Sequence, residues 1–205
     1  QPYQPLLVTP QALVHGGTAN TMELGGGGKD PLSIAVSTPN GKAVGSSTPP
    51  GGRLGGLIAA RDETLAAASV QLDELAHGFV TAVNAVHESG FGLDGSTGVS
   101  LFEPIADVEG AASMIALSKG IMGKPEKLAA SADETMLPGD DANIQALFEL
   151  HESGVLADGK TVTQGWDKVV ATVATALNEA TGQAKSQTER LGQFQAMAMS
   201  ESGVS

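Results

Sequence analysis

Two histidines that are each followed by glutamate invite comparison with a helix that binds a metal ion. The tetrapeptide His-Glu-Ser-Gly occurs twice, at His87–Gly90 and at His151–Gly154. A zinc-binding protease helix needs a second histidine four positions after the first, so that both side chains face one ion. Phe91 and Val155 occupy those positions. The tetrapeptide is therefore interpreted as a sequence that ends a helix, and no metal ligands are predicted.

Two further motifs could hold a phosphate or a calcium ion. In the glycine-rich stretch before Lys29, Asp30 stands where a phosphate-binding loop requires Ser or Thr. A calcium loop that starts at Asp94 would end at Ile105, where a bidentate glutamate is required. Adjacent acids such as Asp73-Glu74 point in different directions on a helix and are interpreted as solvated faces or caps. The sequence therefore predicts no catalytic residue, no cofactor and no enzyme activity.

Charge and composition exclude several classes of partner. The 205 residues carry a formal net charge of −12, with 23 acidic and 11 basic side chains. Such a field repels a phosphate backbone and an anionic membrane, so neither nucleic acid nor membrane is an expected partner. There is no cysteine, which excludes disulfides and thiol chemistry. No apolar run approaches the roughly 20 residues of a membrane span, and no secretory signal follows Gln1.

Apolar residues every seven positions predict a first long helix, at about 54–89. This series comprises Ile58, Leu65, Leu72, Phe79 and Val86. At about 1.5 Å per residue, such a helix is roughly 50 Å long. Gly90 is expected at the left-handed position after its end, and His87 is expected to interact with the negative end of the helix dipole.

A second pair of series predicts a last long helix, at about 163–200. Its larger members are Trp166, Val170, Val173, Leu177, Leu191 and Phe194. Together the two helices are predicted to form a long antiparallel pair, either as ordinary core helices or as a true coiled coil. Alanine occupies several positions in both helices and buries little apolar surface. Because each buried Leu contributes only about 1.5–3 kcal/mol, further helices or neighbouring subunits are expected to pack against the two helices.

The remaining segments predict an α+β fold with four parts. Residues 1–50 form a β-rich segment, 51–90 the first long helix, 91–138 a mixed loop and strand segment, and 139–205 the helices that complete the core. In the first part, Leu6–Val8 and Leu13-Val14 are short apolar runs, and Gly25–Gly28 is expected to be a flexible joint. Leu32, Ile34 and Val36 alternate as in a half-buried strand, Asn40-Gly41 favours a tight turn, and Val44 is placed on the return strand.

Weaker signals place the shorter elements. Val99–Phe102 and Ser113–Leu117 are strand candidates, and Pro125 is expected to open a helical turn. Asp140 or Asp141 is the expected N-cap of a short helix that carries Ile144, Leu147 and Phe148. Thr161 and Gln164 form a candidate capping box at the start of the last helix.

Several motifs, taken in order, resemble the bacterial flagellar hook-associated protein 1 family. They are Gly51–Leu57, Arg61-Asp62-Glu63, Gln71-Leu72, Leu75-Ala76, Val83–Gly90, Leu93-Asp94-Gly95 with Leu101-Phe102, Gly139–Asn143 with Leu147, and the last helix up to Ser205. The match is clear at 51–103 and 139–205 and loose elsewhere. The terminal helices of the family are not found in this chain, which therefore resembles a central fragment.

The resemblance implies a structural subunit at the junction of flagellar hook and filament. It implies a homo-oligomer in the full-length protein, contacts with the hook protein and the second junction protein, and an export chaperone at the C-terminal part. It also implies an extracellular location in the flagellum, reached by type III export without a cleavable signal peptide. Two alternatives stay open: another axial or filament subunit resembling flagellin, and a secreted carbohydrate-binding domain, which the scarcity of aromatic residues disfavours.

Overall fold

The computed structural model describes residues 14–15, 18–28, 30–37, 43–47 and 52–202. The predicted run at Leu6–Val8 and the turn at Asn40-Gly41 lie outside these residues. The described part confirms the α+β class and the long helix at the C-terminal end. It divides into two compact units, one formed by 1–66 with 176–205 and the other by 67–175.

Among the described residues, five short strands precede the helices. The first two, β1 (Val14–His15) and β2 (Thr18–Ala19), pair with each other. The next three, β3 (Thr21–Gly27), β4 (Asp30–Ser37) and β5 (Ala43–Ser47), form an antiparallel sheet in the order β3-β4-β5. The predicted alternation is confirmed, because Ile34 and Val36 are buried on β4.

The glycine run that was expected to be a joint belongs to a hairpin instead. Gly25 pairs with Ser33, and Gly27 pairs with Asp30. Gly26, Gly27 and Gly28 all have positive φ, a backbone region that side chains disfavour. A Cβ at Gly26 would lie only 2.1 Å from the carbonyl oxygen of Pro31. The glycines are therefore required by the close hairpin turn.

The first long helix runs from Gly52 to Ser89 with an irregular turn inside it. It consists of α1 (Gly52–Ala59), a π-helical segment (Ala60–Leu65) and α2 (Ala66–Ser89). A π-helical turn bonds residue i to i+5 and so contains one more residue than an α-helical turn. A strict seven-residue series that crosses this segment therefore loses its phase by about one residue.

The segment after α2 contains less β-structure than expected. Of the two strand candidates, only an isolated antiparallel bridge between Phe102 and Leu117 forms. Ser113 and Met114 instead belong to a one-turn helix, α3 (Ala111–Met114). The N–H groups of Gly110 and Ala112 donate to the Asp73 carboxylate on α2, both at 2.9 Å, so a side chain distant in sequence stabilises this helical turn.

Three of the predicted local signals are confirmed. A 3₁₀ turn occupies Pro125–Lys127, as predicted. A second 3₁₀ turn, at Glu134–Met136, was not among the predictions. Helix α4 (Ala142–Glu149) follows Asp141, although the carboxylate that accepts from the Ala142 N–H belongs to Asp140. Helix α5 (Val162–Ser202) begins with the capping box: Thr161 N–H donates to Gln164 Oε1, and Gln164 N–H donates to Thr161 Oγ1.

Candidate assembly surface

The predicted seam residues of the first helix lie in different environments. Ile58 is 3% exposed, whereas Leu65 in the π-helical segment is 61% exposed. Leu72, Phe79 and Val86 are half-buried. The most buried side chains of α2 stand one position further along the chain, and they include Val80 and His87. This displacement agrees with the one-residue change of phase that the π-helical segment introduces.

The first turns of α5 pack antiparallel to α2. Thr172 Oγ1 donates to Gln71 Oε1 at 3.0 Å, and Lys168 Nζ lies 3.9 Å from Glu74 Oε2. Next along both helices, a Cβ at Gly165 would lie 2.9 Å from Leu75 Cδ1 and 2.5 Å from Leu156 Cδ1. As the residue numbers fall along α5, those of the contacted residues rise along α2. This order confirms the antiparallel direction of the predicted pair over these residues.

The face of α5 that packs on α2 is displaced from the predicted seam by one residue. Gly165 and Val169 are buried and Thr172 is half-buried, whereas Trp166, Val170 and Val173 are exposed. A displacement of one residue rotates the contact face by about 100° on a helix. The structure therefore brings none of these three predicted residues into the contact between α2 and α5.

The rest of α5 presents an apolar stripe to solvent. Leu177 is 65% exposed and Phe194 is 68% exposed, with Leu191 similarly exposed between them. Ala180 and Ala184 lie on the same face at the heptad spacing. We call these five residues the α5 stripe. A row of exposed apolar side chains is typical of surfaces that contact other molecules.

A groove lies beside the α2–α5 contact, within the unit formed by 67–175. It has a volume of about 790 Å³ and follows one face of α2 from Gln71 to Ala85. Its lining on α2 includes the small residues Gly78, Ala82 and Ala85. Val108, Val155 and Leu156 add apolar lining, and Glu74, Asp158 and Lys168 add charged side chains. We call this feature the α2 groove.

The two His-Glu-Ser-Gly motifs have unrelated surroundings. His87 is 2% exposed, and its Nε2 accepts the Ala129 N–H at 3.0 Å. That nitrogen is therefore unprotonated, so Nδ1 carries the proton and donates to the Val99 carbonyl at 2.6 Å. Both ring nitrogens are thus engaged by the backbone of other segments. His87 lies in the last turn of α2, as predicted, and its interaction with the helix dipole stays a prediction. His151, in contrast, is exposed.

Gly90 is needed for close approach rather than for a left-handed cap. Its φ is not positive, contrary to the prediction. A Cβ there would lie 2.2 Å from Asn143 Nδ2 and 2.9 Å from the Ser131 carbonyl oxygen. Asn143 is buried, and its Nδ2 donates to the Ala129 carbonyl at 2.7 Å. The end of α2 and the start of α4 are thus joined by buried polar contacts.

Other polar side chains also connect segments that are distant in sequence. Asn84 forms two bonds with the Phe102 backbone, accepting its N–H at 2.9 Å and donating to its carbonyl at 3.0 Å. Asp140 accepts from the Ser131 hydroxyl and the Ala132 N–H, both at 2.7 Å. The Ser131 hydroxyl, followed by these backbone N–H groups, lowers the pKa of Asp140 below its ordinary value of 3.8.

The Arg61-Asp62 pair has a visible role in the other unit. Arg61 Nη2 donates to the Gly28 carbonyl at 2.7 Å, and Asp62 Oδ2 accepts the Leu32 N–H at 2.7 Å. The two side chains also form an ion pair with each other. The π-helical segment thus holds the β3–β4 hairpin through backbone groups, independently of the hairpin's side chains.

No group of three or more metal-binding side chains occurs among the residues that the structure describes. Over the same part of the chain, no helix combines the length and the apolar character that crossing a membrane requires. The notable surfaces of the described chain are the α5 stripe and the α2 groove. Both are apolar surfaces of a kind that binds protein partners.

Comparison with known proteins agrees with this interpretation. Residues 6–102 match the family model described as the flagellar hook-associated protein FlgK helical domain, a match that spans just under half of the chain. No curated protein matches the chain. The resemblance to the flagellar hook-associated protein family is confirmed. The match supports a structural role associated with the flagellar hook, assembly with other flagellar components and a location in the flagellum.

Proposed function

We propose that this protein is a structural subunit that joins the flagellar hook to the filament, and that it acts through protein–protein packing. The family match over 6–102 supports the hook-associated part of this proposal. The junction role rests on the resemblance of the motifs between Gly51 and Phe102 and on those around Asp140. The proposal requires no catalytic residue and no cofactor.

The observation that carries the proposal is the exposed apolar face of α5. Leu177, Leu191 and Phe194 are each more than half exposed on a helix of 41 residues. Burial of one such side chain stabilises an assembly by about 1.5–3 kcal/mol. Trp166, Val170 and Val173, nearer the start of the helix, are also exposed. The predicted seam thus becomes a proposed contact surface for neighbouring subunits.

Partners and export follow from the resemblance. In this proposal the full-length protein is a homo-oligomer that contacts the hook protein on one side and the second junction protein on the other. An export chaperone binds the C-terminal part before assembly, where it covers the exposed apolar side chains of α5. The protein reaches the extracellular flagellum through the type III export channel.

Deletion of the gene in its flagellated host tests the junction role. Electron microscopy is expected to show hooks without attached filaments, together with unassembled filament protein in the medium. Wild-type protein supplied in trans should restore the filaments, and immunogold labelling should mark a single position between hook and filament. Complete filaments in the deletion strain would refute the proposal, and labelling along the whole filament would favour a flagellin-like subunit instead.

A double variant of the α5 stripe connects this role to the structure. Leu177→Glu with Phe194→Glu places charges on exposed positions, so folding should be preserved while burial against a neighbour becomes unfavourable. We expect this variant not to restore filaments. Met122→Glu, which alters an equally exposed apolar side chain elsewhere, is the control and should restore them.

A further inference from the structure

All of the sulfur in this chain lies at the protein surface. The sequence contains six methionines and no cysteine. Each methionine is between 44% and 64% exposed, and the six are Met22, Met114, Met122, Met136, Met197 and Met199. Methionine is ordinarily among the residues that are most often buried, because its flexible thioether fills gaps in apolar cores. In this protein the usual distribution is reversed.

The buried interior is built without sulfur. Among the residues that the structure describes, the buried apolar side chains are all alanine, valine or isoleucine, such as Ala76, Val80 and Ile58. The buried polar side chains include Asn84 and Ser131. Thioethers and thiols are the side-chain groups that peroxides oxidise most readily, so the reactive groups of this chain are separated from its core.

Hydrogen peroxide converts an exposed thioether to a sulfoxide. A sulfur lone pair attacks one peroxide oxygen, the O–O bond breaks, and an S–O bond forms. The hydroxide that leaves takes the proton from the transferred oxygen and becomes water. Sulfur is thereby oxidised by two electrons, and the peroxide is reduced by the same two electrons. The reaction needs no catalytic residue of this chain.

The position of each methionine decides what the added oxygen does to the fold. A sulfoxide is polar, so within an apolar core it would be buried without hydrogen-bond partners, which is destabilising. At Met122, which is 60% exposed, water hydrates the same oxygen. Ile121, the residue before it, is 5% exposed and belongs to the buried interior. Oxidation of the six methionines is therefore compatible with the folded structure.

Charge indicates which oxidants reach these sulfur atoms. The unit formed by 67–175 carries three of the methionines, and it contains sixteen of the acidic side chains and five of the basic ones, a formal charge of −11. The unit formed by 1–66 and 176–205 contains seven acidic and six basic side chains, a formal charge of −1. The field of the acidic unit repels anionic oxidants and leaves the approach of an uncharged one unaffected. Uncharged peroxides are therefore the class of oxidant that all six methionines can meet.

We propose that the six surface thioethers are oxidation sites for uncharged peroxides, at which the oxidant is reduced to water while the fold is retained. The separation of every sulfur atom from the buried interior carries this inference. It concerns chemistry that the proposed structural role does not require, so the two can fail separately.

Treatment of the purified full chain with hydrogen peroxide tests the proposal. Intact-mass spectrometry counts the oxygen atoms that are added, and proteolytic digestion assigns them to individual methionines. Each of the six should be oxidised in the native protein within about tenfold of its rate in urea, since reactivity follows exposure. The product with six added oxygen atoms should melt cooperatively, within about 5 °C of the untreated protein, because surface changes affect stability little.

Two variants each add a buried methionine as a matched comparison. Ile121→Met places a seventh thioether beside exposed Met122, and Ile58→Met places one at a position that is 3% exposed. The exchange of one apolar side chain for another of similar volume is usually tolerated. In each variant the seventh methionine should react at least about tenfold more slowly than the other six, because it becomes accessible only by local opening. Its oxidation should also lower the melting temperature.

Three results would overturn the inference. A native methionine that reacted more than about tenfold more slowly than in urea would be protected by the fold. Loss of the cooperative melting transition after six additions would show that the fold does not tolerate the sulfoxides. A seventh methionine that reacted as fast as the other six in both variants would show that burial does not control the reaction. None of these results would alter the expected phenotype of the gene deletion.

Discussion

At the scale of single residues, buried polar side chains bind the backbone of segments that are distant in sequence. The Asn84 side chain forms hydrogen bonds with the backbone of Phe102. The His87 ring binds the backbone of Val99 and Ala129, and the Asn143 side chain also binds the backbone of Ala129. The sequence predicts that His87 lies near a helix end, but it does not predict that the side chain is buried. That burial depends on loops at 99 and 129, whose positions are determined by tertiary packing and leave no local pattern.

Replacement of Asn84 by alanine should destabilise the protein. The change removes both bonds to Phe102 and leaves its N–H and carbonyl groups without the side chain that binds them. Unsatisfied buried polar groups cost about 1–3 kcal/mol each, so a loss of that order in the free energy of unfolding is expected in urea titration. Asn178→Ala, at an exposed position of α5, is the control and should change stability little.

The Asp140 carboxylate should make stability depend on acid pH. Its pKa is lowered in the folded state, so the stabilisation is present above the unfolded value near 3.8 and is lost as the pH falls through the folded value. Wild type should therefore be more stable than Asp140→Asn at pH 7, and the difference should shrink below about pH 4. Melting temperatures from pH 7 to pH 2 measure this. A difference independent of pH would contradict the assignment of the effect to charge.

At the scale of elements, periodicity predicted the existence of both long helices but not which face is buried. The capping box at Thr161 and Gln164 is visible in the sequence and is confirmed, because both partners are local. The buried face of α2 is displaced from the predicted series after the π-helical segment Ala60–Leu65. No residue type marks such a segment, so its change of phase could not be foreseen from spacing alone.

Two glycine substitutions in or beside helices should have opposite effects. Gly90→Ala should cost about 1–3 kcal/mol, because the new Cβ would overlap Asn143 and the Ser131 carbonyl, which are buried and hydrogen-bonded. Gly182→Ala should stabilise by about 1 kcal/mol, since this helical position is exposed and open and alanine has the higher helix propensity. Chemical denaturation of both variants measures the difference. A neutral Gly90→Ala would show that α2 and α4 do not approach as closely as described.

At the scale of the whole molecule, the charge is divided between a strongly acidic unit and a nearly neutral one. The sequence total of −12 predicted only that nucleic acid and anionic membranes are unsuitable partners. The division itself depends on which residues fold together, and it becomes visible only in the structure. It places the α5 stripe in the nearly neutral unit, where like-charge repulsion of an acidic partner is smaller.

The most direct test of the account is the accessibility of the α5 stripe before and after assembly. Because the chain contains no cysteine, a single Leu191→Cys substitution gives a unique thiol for maleimide labelling. The thiol should react rapidly in the purified protein and should be protected in isolated flagella, while Met122→Cys serves as the comparison position. Equal labelling of Leu191→Cys in the purified protein and in flagella would contradict the claim that this protein works by packing through α5.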